Sequence, residues 1–340
     1  MNGGRASELP AGPWTGPALW TSTQWLATAT AWLDERLAAV GRVRSGPVEQ
    51  PRVRPWGTVL RAPTESGPVW LKCPAPSTVF EVGLYAVLNR WAPEAILRPI
   101  ALDIERGWLL LPDGGKSLNA RLAGAEEARA LGVALVRFGA LQRQLVPAVD
   151  ELMAAGVPDM RPARMPERFE EAVAAAAGWV RDGSDRELLR QVIALRPVFA
   201  TWCARLAAHP SAPSLDHNDL HTDNVVGERY LDWGDSVIAH PFAVALVPLR
   251  LIADLLPAGS GSTDYLAARN GYLAGFAGDR DPSTLVSTLE LAGRVTHIAR
   301  VLTWERALRA ATDAGEPIDE RWRTGALFWL AELLHRAGDR

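Results

Sequence analysis

Between residues 216 and 235 the chain reads Asp-His-Asn-Asp-Leu-His-Thr-Asp-Asn-Val-Val-Gly-Glu-Arg-Tyr-Leu-Asp-Trp-Gly-Asp. Polar side chains this dense in so short a span need partners, from one another or from a ligand. The apolar pairs between them set the path. Val225-Val226 and Tyr230-Leu231 flank a turn at Gly227-Glu228, which predicts a loop, a short hairpin and a strand end. That path brings Asp232 back beside Asn224. A carboxylate (Asp219), an amide five residues on (Asn224) and a second carboxylate eight residues further (Asp232) then face one point. Asp and Asn offer oxygen only, which suits Mg²⁺ rather than a soft metal. Phosphoryl transfer from a nucleotide needs such a set: one carboxylate to orient and take the proton of a hydroxyl, and two oxygen donors to hold Mg²⁺ on the phosphates.

The pair His217-x-Asp219-Leu220-His221-x-x-Asn224 and Asp232-Trp233-Gly234-Asp235 resembles the catalytic loop and metal motif of the aminoglycoside phosphotransferase and choline-kinase-like family. The resemblance implies an α+β, two-lobed protein-kinase-like fold, with a small antiparallel-sheet N-lobe and a mostly helical C-lobe. It implies Asp219 as catalytic base and Asn224 and Asp232 as Mg²⁺ ligands. His217 would support the loop and Asp232, His221 would buttress the loop, and Asp235 would be a further supporting residue. The chain departs from the family pattern at Asn218, where Gly is usual, and at Asp223, often Gly as well. Both departures lie between the chemical positions and bear on loop conformation and substrate shape.

Ahead of this stretch the chain divides by composition. Residues 1–15 are rich in Gly, Pro and Ala and are expected to be loosely ordered. Trp25, Leu26, Ala29, Trp32, Leu33, Leu37 and Val40 recur at helical spacing, predicting an amphipathic helix over 21–40 that closes an N-terminal extension (1–45). Strand signals fill 46–112: runs at 51–56, 58–62 and 68–73, a helix over 77–91 with Ser77 as its cap, and a hairpin from 99–103 and 108–111. That order is a kinase small lobe. Beyond it, 113–340 reads as helices over 126–145, 148–155, 166–180, 184–208, 242–256, 264–276, 284–294, 295–314 and 319–337.

Only two lysines occur, Lys72 and Lys116, against 34 arginines. Lys72 closes the third strand. In the kinase template a lysine there reaches the α- and β-phosphates and is held by a glutamate of the next helix. Glu81 is the only carboxylate between Ser77 and Trp91 and is paired with it. No Gly-x-Gly-x-x-Gly occurs, so Trp56-Gly57 is the turn left to cover phosphates. Leu111-Pro112-Asp113-Gly114-Gly115 is the expected hinge, with Pro112 and Asp113 beside the nucleotide base. Gly115-Lys116-Ser117 looks like the tail of a phosphate-binding P-loop, but residue 110 is Leu where that motif needs Gly.

Net charge is −3 with no basic block, so nucleic acid is not an expected partner. No apolar run approaches the roughly 20 residues of a membrane span. No secretory signal is visible, and two cysteines give no disulfide framework, so a cytoplasmic protein is expected. The segment after Asp235 carries no long activation stretch ending in Ala-Pro-Glu, which points to a small-molecule hydroxyl acceptor rather than a protein. Aminoglycosides, sugars, amino sugars and amino alcohols stay open, as do ATP and GTP. Asp235, Glu290, Glu305, Asp313 and Glu316 are the acids that would meet a polycation. Two other readings stand beside this one: a kinase-shaped nucleotide-binding protein without catalysis, and a metal hydrolase using the His217-x-Asp219-x-His221 cluster.

Overall fold

Alternating burial along two strands positions the sheet of this protein, seen in a computed structural model that describes residues 16–278 and 280–338. The expected loose segment at 1–15 lies outside the described residues. Two compact units emerge, one from the described part of Met1–Val79 with Ile100–Asp113 and Arg306–Ile318, the other from Phe80–Pro99, Gly114–Glu305 and Asp319–Arg340.

In the first unit, two helices, α1 (Gly16–Trp20) and α2 (Thr23–Ala39), precede β1 (Glu49–Arg54), β2 (Gly57–Ala62), β3 (Val69–Pro74), β4 (Ala101–Asp103) and β5 (Trp108–Pro112). The five strands form an antiparallel sheet in the order β1-β2-β3-β5-β4. Leu60, Ala62, Val69 and Leu71 turn to one face and are fully buried. Trp25, Trp32, Leu33 and Leu37 of α2 join them in one core. Trp108 is its pivot, meeting Trp25 and Trp32 edge-on at 6.1 and 5.5 Å. Ser22 caps α2, its hydroxyl accepting from the Trp25 amide at 3.3 Å.

The second unit begins with α3 (Phe80–Trp91). Ser77 does not cap it. Pro76 opens a separate 3-10 turn, and the Ser77 hydroxyl donates to Arg306 O at 2.6 Å. There follow α4 (Gly124–Leu145), α5 (Val149–Ala154), α6 (Met165–Ala177), α7 (Gly183–Ala194) and α8 (Arg196–Ala207). The expected helix over 184–208 is broken between α7 and α8, where Pro197 in the first turn of α8 has no N–H to continue a ladder. Three short strand pieces and a fourth surround the motif: β6 (Ser214–Asp216), β7 (Val225–Val226), β8 (Arg229–Tyr230) and β9 (Val237–Ala239). β6 pairs with β9, and β7 with β8 across the Gly227 turn.

Helices α9 (Leu246–Leu255), α10 (Thr263–Ala274), α11 (Pro282–Asp313), α12 (Glu320–Arg323) and α13 (Gly325–Gly338) complete the chain. The two helices expected over 284–314 are one. Gly293 is the lone breaker there, and a single glycine weakens a helix without stopping it. The helix expected over 319–337 is instead interrupted at Thr324. Gly325 starts its second piece, and a Cβ there would collide with the Trp304 ring. Leu131, Leu135, Phe138, Leu141 and Leu145 of α4 are all buried, as their spacing requires, and α9 and α10 pack on this helix.

Candidate active site

The second unit gathers the motif residues. β6 ends at Asp216, and the chain then turns through Asn218, whose φ is 59°. Asp232 has the same φ of 59°. Among the described residues these two are the only non-glycines with positive φ. Asn and Asp enter that left-handed region at lower cost than other side chains. The Gly that the family pattern has at position 218 is thus explained by conformation, and Asn meets the same need. Its amide hydrogen donates to Asp216 Oδ1 at 2.6 Å, while Nδ2 donates to Thr303 Oγ1 at 2.9 Å and Asp235 O at 3.3 Å.

His217 is fully buried. Its Nε2 donates to Leu231 O at 2.8 Å, tying the loop to the strand end before Asp232. Burial pushes it down to about 4, so the ring is neutral at pH 7. Edge-on contact with Phe138 and a tilted face against Trp233, 4.9 Å away, fix its plane. His221 holds the next turn, where its Nδ1 accepts from the Asp223 amide at 3.2 Å. Burial pulls its basicity down, yet Asp219 at 3.3 Å raises it overall. Both imidazoles are therefore spent on the loop and do not form the ligand set that a metal hydrolase would need.

Asp219 stands between Arg300 and His221. Its Oδ1 lies 3.1 Å from Arg300 Nη2, and its Oδ2 3.3 Å from His221 Nε2. Burial alone would raise its affinity for a proton, but Arg300 first and His221 second hold the carboxyl well below the usual range. Asn224 Nδ2 donates to Asp219 O at 3.0 Å. Its carbonyl oxygen is thereby the end left for a cation. Leu231 N donates to Asn224 O at 2.9 Å, so the β7–β8 hairpin carries the chain from Asn224 back to Asp232. An amide oxygen and one carboxylate, with phosphates completing the shell, is the donor set Mg²⁺ accepts.

Glu81 is 1% exposed, and its Oε1 accepts from the Trp233 amide at 3.0 Å. Trp233 packs face-on against Phe138 at 6.1 Å. Asp223, the second departure from the family pattern, is exposed and accepts from Asn119 Nδ2 at 2.5 Å. The remaining site candidates belong to the first unit. Lys72 is half-buried in β3 between Val59 and Leu109. Trp56 and Gly57 make the β1–β2 turn, where a Cβ on Gly57 would stand 3.1 Å from Cys73 O. Pro112 ends β5 opposite Val69, and Asp113 accepts from Trp70 Nε1 at 2.8 Å.

Arg300 and Thr303 are site residues that motif reading passes over. A signal exists: Thr296, Arg300 and Thr303 recur at i, i+4 and i+7 in a stretch of α11 that is apolar apart from them and His297, and all three are buried. Buried polar groups at helical spacing need partners on one side.

Several solved structures share the fold. A macrolide 2'-phosphotransferase from Brachybacterium faecium is 18% identical, covering 88% of this chain and 97% of its own, with a TM-score of 0.53. For a choline/ethanolamine kinase family protein from Mesorhizobium loti the values are 16%, 91%, 95% and 0.55. For spectinomycin phosphotransferase in complex with ADP and spectinomycin they are 14%, 91%, 97% and 0.50. The fold is α+β and protein-kinase-like, and the protein is a small-molecule kinase. It belongs to the phosphotransferase enzyme family, whose sequence model matches residues 58–243. No curated protein matches the chain.

Proposed function

We propose that the protein moves the γ-phosphoryl group of ATP or GTP onto a hydroxyl of a small molecule, with Mg²⁺ held by Asn224 and Asp232. The ion would supply charge neutralisation on the transferring group. The supporting observation is Asp219: an ionised carboxylate on a loop fixed by a left-handed residue, three-tenths of its side chain open to solvent, and bonded through its own carbonyl to Asn224. Asp219 orients the acceptor hydroxyl and takes its proton as the new O–P bond forms and the bond to the nucleoside diphosphate breaks. Lys72, steadied by Glu81, holds the α- and β-phosphates in this reading. Trp56-Gly57 covers them, and Pro112-Asp113 meets the base. Residues 46–112 thus serve the nucleotide and 113–340 the acceptor, in a protein working in the cytoplasm where nucleotide triphosphate is supplied.

The acceptor is a small alcohol of the aminoglycoside, sugar, amino sugar or amino alcohol classes, and of the acids that would meet a polycation Asp235 is ion-paired with Arg300 at 3.2 Å. The test is Asp219→Asn, assayed with Mg²⁺, ATP or GTP and a panel of alcohols. Removing the base is expected to cut turnover by on the order of 10²–10⁴ while nucleotide still shifts the melting curve. Unimpaired turnover would refute the assignment.

A further inference from the structure

We infer that Arg300 is a positioning residue for phosphoryl transfer, a role that rests on the reading of Asp219 as the group facing the acceptor. The side chain leaves the middle of α11 and is 7% exposed. Its guanidinium reaches three acceptors on two different segments of the motif. Nη1 donates to Asn218 O and to Asp235 Oδ2 at 3.2 Å, and Nη2 pairs with Asp219 Oδ1 at 3.1 Å. The ring of Trp329 in α13 lies 5.1 Å from Cζ.

A buried arginine is costly unless its donors are matched, and Arg300 spends its two terminal nitrogens on two carboxylates and a backbone carbonyl while Nε finds no partner. Here the planar fork spans the residue before the catalytic aspartate, the aspartate itself and the carboxylate that closes the second motif. One turn further along the same helix, Thr303 Oγ1 takes the Asn218 amide. Helix α11 thus grips the left-handed residue by backbone and side chain, and grips its neighbour by Oδ1. Arg300 holds Oδ1 and His221 approaches Oδ2 at 3.3 Å, so the carboxylate is oriented before a hydroxyl arrives. Fixing one oxygen of a general base matters because reacting atoms misplaced by about 1 Å can cost 10²-fold in rate. A lysine offers a point charge and cannot span three acceptors in one plane.

The experiment compares wild type with Arg300→Gln, Arg300→Lys and Arg300→Ala, using the alcohol that the wild type phosphorylates best. A positioning role predicts a kcat about 100-fold lower in Arg300→Gln with the nucleotide KM unchanged, partial recovery in Arg300→Lys, and a rise in the kcat of Arg300→Ala on adding millimolar guanidinium. A merely structural role would lower the melting midpoint without guanidinium rescue. Wild-type kcat in Arg300→Gln, or a loss confined to nucleotide KM, overturns the inference. Should the Gln and Ala variants not fold, Arg300→Lys decides: a normal melt with full kcat overturns it, and a normal melt with reduced kcat supports it. A wild type that phosphorylates no acceptor sinks the phosphotransferase reading itself, and the role with it.

Discussion

Asn218 and Asp232 hold the backbone in a region that costs an ordinary L-residue about 1–2 kcal/mol. Such strain persists only where surrounding bonds over-determine it, and it gathers at functional sites. At Asn218 those bonds run to Asp216, Asp235, Thr303 and Arg300. Replacing it separates backbone from side chain. Asn218→Gly and Asn218→Ala both lose the bonds of Nδ2, but only Ala keeps the left-handed strain. The Gly variant is expected to be the more stable by about 1 kcal/mol in urea melts; the opposite order would contradict the conformational argument. The sequence marks this position only as a departure from Gly. The reason for Asn, a hydroxyl 85 residues away on α11, is a tertiary fact with no local signature.

Among the elements, α4 supplies the aromatic layer packed against the motif. Phe138 is fully buried and meets three motif side chains: Tyr230 edge-on at 5.1 Å, Trp233 stacked at 6.1 Å and His217 at 6.2 Å. Phe138→Ala should cost about 3–5 kcal/mol, since a rigid aromatic layer cannot collapse into the space. Chemical denaturation measures it, and a loss under 1 kcal/mol would mean that the layer repacks. This helix was legible because its apolar residues keep one period without interruption. Elsewhere the period misled. Pro197 sits where a first turn tolerates it, so α7 and α8 looked continuous, while Gly293 made α11 look divided. The small sheet was legible for the opposite reason: its strands are short, and Gly and Pro punctuate them.

Across the whole molecule, burial works against charge on several groups, and pH should read this out. His217 and His297 are pushed by burial to about 4 and His240 to about 3. Each contributes stability that is present above 6.5 and lost as pH falls, because the unfolded chain takes a proton the native one refuses. Asp216 has the reverse sign. Burial raises it to about 7 from 3.8, so the native state keeps a proton the unfolded state releases. Its contribution is full below 3.8 and lost as pH rises through 7. Asp216→Asn stays neutral throughout, so relative to wild type it should gain on the order of 3 kcal/mol between pH 5 and 8. Parallel stability curves for the two proteins would rule this out. Motif spacing located the 216–235 cluster, but no spacing reveals that residues 306–318 join the sheet-bearing unit, or that α11 anchors the loop. That anchoring has a practical corollary for engineers. A loop spanning 216–224 grafted into a sibling scaffold would arrive without Arg300 and Thr303, so such a graft requires moving those two helix positions together with it.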